Sequence, residues 1–334
     1  MGNSLKENSV KISVCVAIHG VEKYLDKCLK SLQNQTNFND YEVLLLLDSP
    51  LEGDVRVAQK YADSDKRFKI YNLDFKDQGL VRNYGCKVAQ GEYVYFVDGD
   101  DYLEPNCLGN FFEVIKKENP DIAISNYYLE KNGKKIKAFI HIKDNWHYKT
   151  NYKRAKAVAS DIKIRGYVWN KIYRREFLLN NNLFSVPARY FIEDINFNFL
   201  TFLKARKIVT SEKYNYVYVF RKNSSLHFDP FVFIKKYLYS LALMRYYSLE
   251  QNVKKATNLN YFNKKVMLIV HGLQNFKFLK MNIFNYFVYI NKEINKIRKC
   301  QLSEYLKDQV FQDAYFSLLS GKNDLWRLVN FITD

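Results

Sequence analysis

Residues 95–103 read YFVDGDDYL, which crowds Asp98, Asp100 and Asp101 into four positions straight after a run of strand-forming side chains. Like charges this close repel. The cluster needs either a turn that splays it into water or a cation between the carboxylates. Asp-Gly is a common turn because both residues tolerate a left-handed backbone. Hard divalent cations, for their part, take carboxylate oxygens. A second acidic pair, Glu193-Asp194, stands in RYFIEDINFNFLTFLKA (189–205), ahead of Phe197, Leu200, Thr201 and Leu203 in a helical run. Acids at a helix start complement its dipole and cap it.

The segments that must hold these residues alternate in period. KISVCVAI (11–18) is a short β-branched run and reads as a buried strand. VEKYLDKCLKSLQNQ (21–35) places Val21, Leu25, Cys28, Leu29 and Leu32 at helical spacing. YEVLLLL (41–47), RFKIYNL (67–73), EYVYFVD (92–98) and DIAISNYY (121–128) read as further strands. Helices over 53–65, 80–90 and 106–119 lie between them, the one over 80–90 ended by Gly91. This alternation, with near-continuous apolar strands, predicts a parallel sheet covered on both faces.

Open sheets of that kind bind ligands at the carboxyl ends of their strands. Those ends carry His19-Gly20, Asp48-Ser49 and Asp98-Gly99-Asp100-Asp101. A shared ligand explains three polar ends on one edge better than three unrelated turns do. No GxGxxG follows the first strand and no GxxxxGKS/T occurs. A carboxylate-held metal is then the obvious way to grip a diphosphate, and the metal reading overtakes the turn. Asp101 is expected to point away and brace the following loop. Further on, KNGKKIKAFIHI predicts a hairpin about Asn132-Gly133, YKRAKAVASDI a helix, and the chain from 230 onward helices.

The 334 residues, 48% hydrophobic with 27 Tyr and 25 Phe, suit a folded chain with a sizeable core. VLLLL (43–47) is among the longest apolar runs, far below the roughly 20 residues a spanning helix needs. MGNSLKENSVK lacks an apolar signal core, so a cytoplasmic location is expected. Five scattered cysteines without CxxC spacing support neither a zinc site nor a disulfide frame. The net charge of +17 points to an anionic partner. Residues 231–300 hold 13 Lys or Arg against Glu250 and Glu293, a net of +11 interleaved with aromatics. That tail is expected to form a helical appendage presenting Lys235, Lys236, Lys254, Lys255, Lys264 and Lys265 either to an anionic membrane surface or at the rim of a contact with a second copy. Nucleic acid is not expected, since zinc-finger spacing, an RNP-like string and a compact Arg-rich stretch are all missing.

Residues 11 to about 105 resemble the nucleotide-sugar-binding half of family 2 glycosyltransferases, which have the GT-A fold. ISVCVAIHGVEKYL follows that family's opening string, and GLVRNYGCKVAQGEYVYFVDGDDYL follows its central one nearly throughout. WNKIYRREFL and FIEDINF resemble segments of its capsule- and lipopolysaccharide-building members, and YVYVFRKNSSLH the strand after them. The likeness runs in order over roughly 11–228.

The resemblance implies a GT-A domain over 1–230, with a nucleotide-sugar half (11–130) and an acceptor half (131–230), and a basic helical region over 231–334. It implies an inverting, metal-dependent enzyme that moves a sugar from a UDP-sugar to a glycan or lipid-linked glycan acceptor, with Mn²⁺ or Mg²⁺ as cofactor. Asp98 and Asp100 become the two acids of a DxD motif, Asp100 the direct ligand, with Gly99 between them and His227 completing the metal shell. Ala17, His19, Asp48 and Arg82 fall at the nucleotide, and Arg221, Ser224 and Ser225 in a segment that closes over the diphosphate. Asp194 becomes the general base on the acceptor hydroxyl, a task a positioned carboxylate can perform. Glu193, Trp169 and Lys171 fall on the acceptor side, with solvated surface lysine as the plainer reading of Lys171. Ala17, His19 and Gly20 replace the family's usual Pro, Tyr and Asn, and Leu47 replaces an acid. A nucleotidyltransferase of the same fold class would want a Gly-rich basic loop after the first strand, where this chain has HGVEKYLDK. A non-catalytic basic scaffold on the membrane is the remaining alternative.

Overall fold

The computed structural model describes residues 10–138, 142, 150–160, 164, 166–221, 230–250, 292 and 295. In chain order the elements are β1 (Ile12–Ile18), α1 (Glu22–Gln33), β2 (Tyr41–Asp48), α2 (Glu52–Ser64), β3 (Phe68–Leu73), α3 (Gln78–Val88), β4 (Tyr93–Asp98), β5 (Tyr102–Leu103) and α4 (Cys107–Glu118). Then follow β6 (Ile122–Lys131), β7 (Lys134–Lys137), α5 (Asn151–Ser160), β8 (Lys171–Arg174), α6 (Arg175–Asn180), α7 (Glu193–Lys204), β9 (Ile208–Val219) and α8 (Pro230–Glu250).

The chain divides into two compact units. One comprises Met1–Lys149, Tyr167–Ser185 and Lys204–Lys222, the other Thr150–Gly166, Val186–Leu203 and Asn223–Asp334. The first holds the whole sheet, in the order β3-β2-β1-β4-β8-β6-β9-β5, with β7 paired to β6. β3, β2, β1 and β4 are mutually parallel. All eight residues of β2 are buried, as strands covered on both faces require. Leu25, Cys28, Leu29 and Leu32 of α1 face the same core, with Val21 just ahead of the helix.

Beyond β4 the sheet departs from a purely parallel plan. β8 runs antiparallel to both β4 and β6, and β6 then pairs in parallel with β9. The sequence reading did not place a strand at KIYR; four residues without alternation carry no periodic signal. The expected turn at Asn132-Gly133 is present, with φ of 52° and 76°. These positive values are what a two-residue hairpin needs. In the second unit, Ser240 Oγ of α8 accepts from Ile192 N at 2.8 Å, and Asn196 Nδ2 of α7 donates to the Ser240 carbonyl at 3.0 Å. Arg154 of α5 donates to the Phe202 carbonyl at 3.1 Å. Among the described residues no helix is long and apolar enough to cross a membrane. Of the tail lysines, Lys236 lies half-buried on α8 and donates to the Ala188 carbonyl; 254, 255, 264 and 265 lie outside the described residues.

One buried acid sets the entry to α1. Asp54, fully buried in the first turn of α2, accepts from Gly20 N (2.7 Å), Val21 N (2.9 Å) and Leu51 N (3.1 Å). It thus joins the ends of β1 and β2 through backbone donors that would otherwise be orphaned at helix starts. Asp54→Ala should lower unfolding free energy by about 2 kcal/mol, since it strands several donors at once. Urea denaturation checks this, and a midpoint equal to that of the parent would show that water replaces the carboxylate without loss.

Candidate functional site

Register brings the polar strand ends together. Ala17 of β1 lies opposite Asp98 of β4, and Ile18 opposite Leu47 of β2, so the carboxyl ends of three adjacent strands share one edge. At that edge Gly99 N donates to the Ala17 carbonyl at 3.1 Å. A Cβ on Gly99 would sit 3.0 Å from both that oxygen and Val21 Cγ2, so a side chain in this turn would press on both.

The three acids diverge in environment. Ligand oxygens of Asp98, Asp100 and Asp101 lie within 4.8 Å of one another. Asp98 Oδ1 accepts from Arg82 Nη2 at 3.1 Å and from Gln78 Nε2 at 2.9 Å, both on α3. Asp100 is ion-paired with Arg221, whose guanidinium also lies 5.2 Å from the Tyr24 ring. Asp101 is 2% exposed. Its oxygens accept from Tyr216 Oη and Val219 N, each at 2.7 Å. Burial, with Asp98 close by, pushes its pKa well above the usual carboxylate range. Asp101 therefore braces β9, not the loop that follows it. Asp98 and Asp100, half-buried at the mouth, are the pair whose chemistry fits a hard cation.

A column of rings supports that brace. Trp169 stacks on Tyr216 at 4.5 Å, on Tyr167 at 4.6 Å and on Tyr218 at 5.7 Å between ring centroids. It is 3% exposed. Lys171 is not a solvated surface lysine: it is fully buried, and its ammonium donates to the Tyr167 carbonyl (2.5 Å) and Asn170 Oδ1 (2.8 Å). Two carbonyl-type acceptors take ammonium donors that burial removes from water.

Asp48 is buried with its carboxylate turned to the backbone. It accepts from Phe75 N (2.7 Å), Lys76 N (3.0 Å) and Asp77 N (3.1 Å), and so fixes the loop that leads into α3 and Arg82. Asp77 in turn caps α3 by accepting from Gly79 N and Leu80 N. His19 is exposed, its Nδ1 2.8 Å from the Asp48 carbonyl and 3.1 Å from that of Ser49. That geometry requires a proton on Nδ1 and leaves Nε2 to face solvent or ligand. Glu193 and Asp194 open α7 in the second unit, both half-buried, with Asn198 Nδ2 donating to the Asp194 carbonyl at 2.9 Å. Ser224, Ser225 and His227 lie outside the described residues. The sequence reading missed Asp54, Gln78 and Tyr216. Asp54 carried a readable sign, an acid in the first turn of a helix. Tyr216 had none, as one tyrosine among several on an aromatic strand.

An open α/β sheet with acids and arginines gathered at the carboxyl ends of its strands is the layout of a glycosyltransferase of the GT-A fold. The family model described as Glycosyl transferase family 2 matches residues 13–180, and the chain belongs to that family. It is 33% identical over 193 residues to the putative glycosyltransferase EpsH of Bacillus subtilis, a match covering 57% of this chain and 54% of that protein. It is 26% identical over 200 residues to the poly(ribitol-phosphate) beta-N-acetylglucosaminyltransferase TarP of Staphylococcus aureus, covering 54% and 61%. The matched part thus spans little more than half of either relative. Among solved structures, S. aureus TarS 1–349 in complex with UDP-GlcNAc shares the fold with a TM-score of 0.67 and 20% identity, over 93% of this chain and 92% of that one.

Proposed function

We propose that this glycosyltransferase moves a sugar from a UDP-sugar to a hydroxyl of a surface-glycan acceptor, with inversion at the anomeric carbon. The observation that carries the reading is the pairing of Asp98 and Asp100 with Arg82 and Arg221 at the end of β4. The UDP-GlcNAc held by TarS supports a UDP-linked donor, and the poly(ribitol-phosphate) named for TarP supports a surface polymer as acceptor.

On this reading Asp98 and Asp100 hold Mn²⁺ or Mg²⁺, with His227 in the same shell. When bound, the cation offsets negative charge gathering on a diphosphate leaving group. Arg82 and Arg221 add positive charge beside the same phosphates, and Ser225 offers a hydroxyl. Gly99 lets the backbone approach closely. Ala17 and His19 line the base, while Asp48 also holds the loop that leads into α3 and Arg82. Asp194 takes the proton of the attacking hydroxyl, with Glu193 beside the acceptor. Trp169 supports the Asp101 brace through its stack on Tyr216, and Lys171 holds the Tyr167–Asn170 segment on which the acceptor side is built. One base and one metal-held leaving group give single displacement. The division into a transferase domain over 1–230 and a basic tail over 231–334, working at the inner face of the cytoplasmic membrane, belongs to the same proposal.

A panel of nucleotide sugars tests the donor. One UDP-sugar should raise the melting temperature in Mn²⁺ and lose that effect in EDTA, since a ligand that binds only the folded state stabilises it. A shift with a GDP- or dTDP-sugar alone would move the base preference. No shift with any nucleotide sugar would overturn the reading.

A further inference from the structure

The β6–β7 hairpin carries an unbalanced charge that the transferase chemistry does not use. Its two faces differ. On one, Lys135 pairs with Glu104 at 2.6 Å and lies 4.6 Å from the Tyr128 ring, while Lys137 lies 4.8 Å from that of Tyr214. Glu130 on the same face takes Lys27 at 2.8 Å and the Tyr102 hydroxyl at 2.5 Å. On that face each charged side chain has an ionic or aromatic partner.

On the other face, by the alternation of side chains along a strand, Leu129 packs against the core while Lys131, Lys134 and Ile136 are exposed. Lys131 stands directly opposite Lys134, and Ile136 opposite Leu129. Like charges directly opposite across a hairpin destabilise it. Both lysines are exposed, and neither meets an acid among the described residues. Ile136 between them and the strand end is 43% exposed, and the space around Gly133 at the turn is open. β6 runs antiparallel to β8, as β4 does, so the hairpin turn lies at the same edge of the sheet as Asp98. β9 follows β6 almost to that turn: Glu130 pairs with Val219, which holds Asp101, and Phe220 N donates to the Glu130 carbonyl at 2.8 Å.

We propose that the exposed tip of the β6–β7 hairpin seats the protein on an anionic lipid bilayer. Headgroups supply the counter-charge that Lys131 and Lys134 lack, and the boundary with the acyl chains takes Ile136. A soluble phosphate polymer would answer the lysines but leave the isoleucine in water. Lysines also blunt the pairing of edge strands, yet that purpose calls for no opposed pair. The inference stands on the hairpin alone and survives if the donor assignment fails.

Co-sedimentation with phosphatidylcholine vesicles, with and without phosphatidylglycerol, tests it on the full chain. The parent should bind only the anionic vesicles, less so as salt rises. Lys131→Glu converts the opposed like pair into an opposite one. Its melting temperature should hold or rise, while vesicle partition falls on the order of 25-fold for two charge units near the surface. Ile136→Ser should also weaken binding. Lys116→Glu/Lys117→Glu on α4, equal in kind of charge change, should leave it nearly intact. Hairpin variants that bind like the parent would overturn the proposal. So would an equal loss in the α4 variant, or a parent that binds soluble phosphate polymer but no vesicle.

Discussion

Asp100→Asn is expected to remove metal-dependent donor binding while leaving the fold intact. Asparagine keeps the size of aspartate but presents one neutral oxygen where a hard cation seeks a charged one. Loss of a supporting partner alone costs metal sites roughly ten- to a hundredfold in affinity, and loss of a ligand should cost no less. The measurement is calorimetric titration of UDP in Mn²⁺, in Mg²⁺ and in EDTA, beside a thermal melt. In the parent, affinity should fall when EDTA is added; in the variant the three titrations should coincide. Asp101→Asn supplies the contrast. Its oxygens receive Tyr216 Oη and Val219 N, so its loss should appear in the melt first. An Asp100→Asn variant that binds UDP with full Mn²⁺ dependence would remove Asp100 from the metal site.

Asp194→Asn should cut sugar transfer by roughly a hundred- to ten-thousand-fold, the span typical of losing a general base, with UDP affinity little changed. The separation of the two readouts matters, because Asp194 also sits in the first turn of α7. There a carboxylate favours the helix through its dipole. A purely structural role would lower the melting temperature and leave residual turnover in proportion to folded protein. A base would leave the melt in place and remove turnover. Normal turnover would pass the role to Glu193, the next candidate in the same turn.

The sequence made the first half of the fold readable because each element carried its own period. β1, β2 and β4 were near-unbroken apolar runs, and Val21 through Leu32 marked the buried side of α1. The hairpin at Asn132-Gly133 announced itself by turn chemistry. β8 did not, since Lys171, at its start, looked like a surface residue until Tyr167 and Asn170 were seen to receive its ammonium. The acids of the site were legible as types but not as roles. Asp48 read as a ligand contact, and nothing in its local sequence signalled the three backbone donors its carboxylate accepts from. What divides Asp101 from Asp98 is Tyr216 and Val219, more than a hundred residues further on. No local window could show them.

That distance also orders events during synthesis. β3, β2, β1 and β4 all lie within residues 12–98 and are joined by short helical crossovers, so this half of the sheet has every strand it needs once residue 98 has emerged. The outer edge of β4 then waits for β8 at residues 171–174. At roughly 5–20 residues per second the wait lasts several seconds, with the backbone groups of a strand edge uncovered. Asp101 waits longer, until residues 216 and 219 arrive. The acidic turn is thus among the first parts of the chain to be shaped and among the last to be locked. A ribosome stalled between those points would hold a nascent chain with an open edge and an unbraced carboxylate, the form most in need of a chaperone.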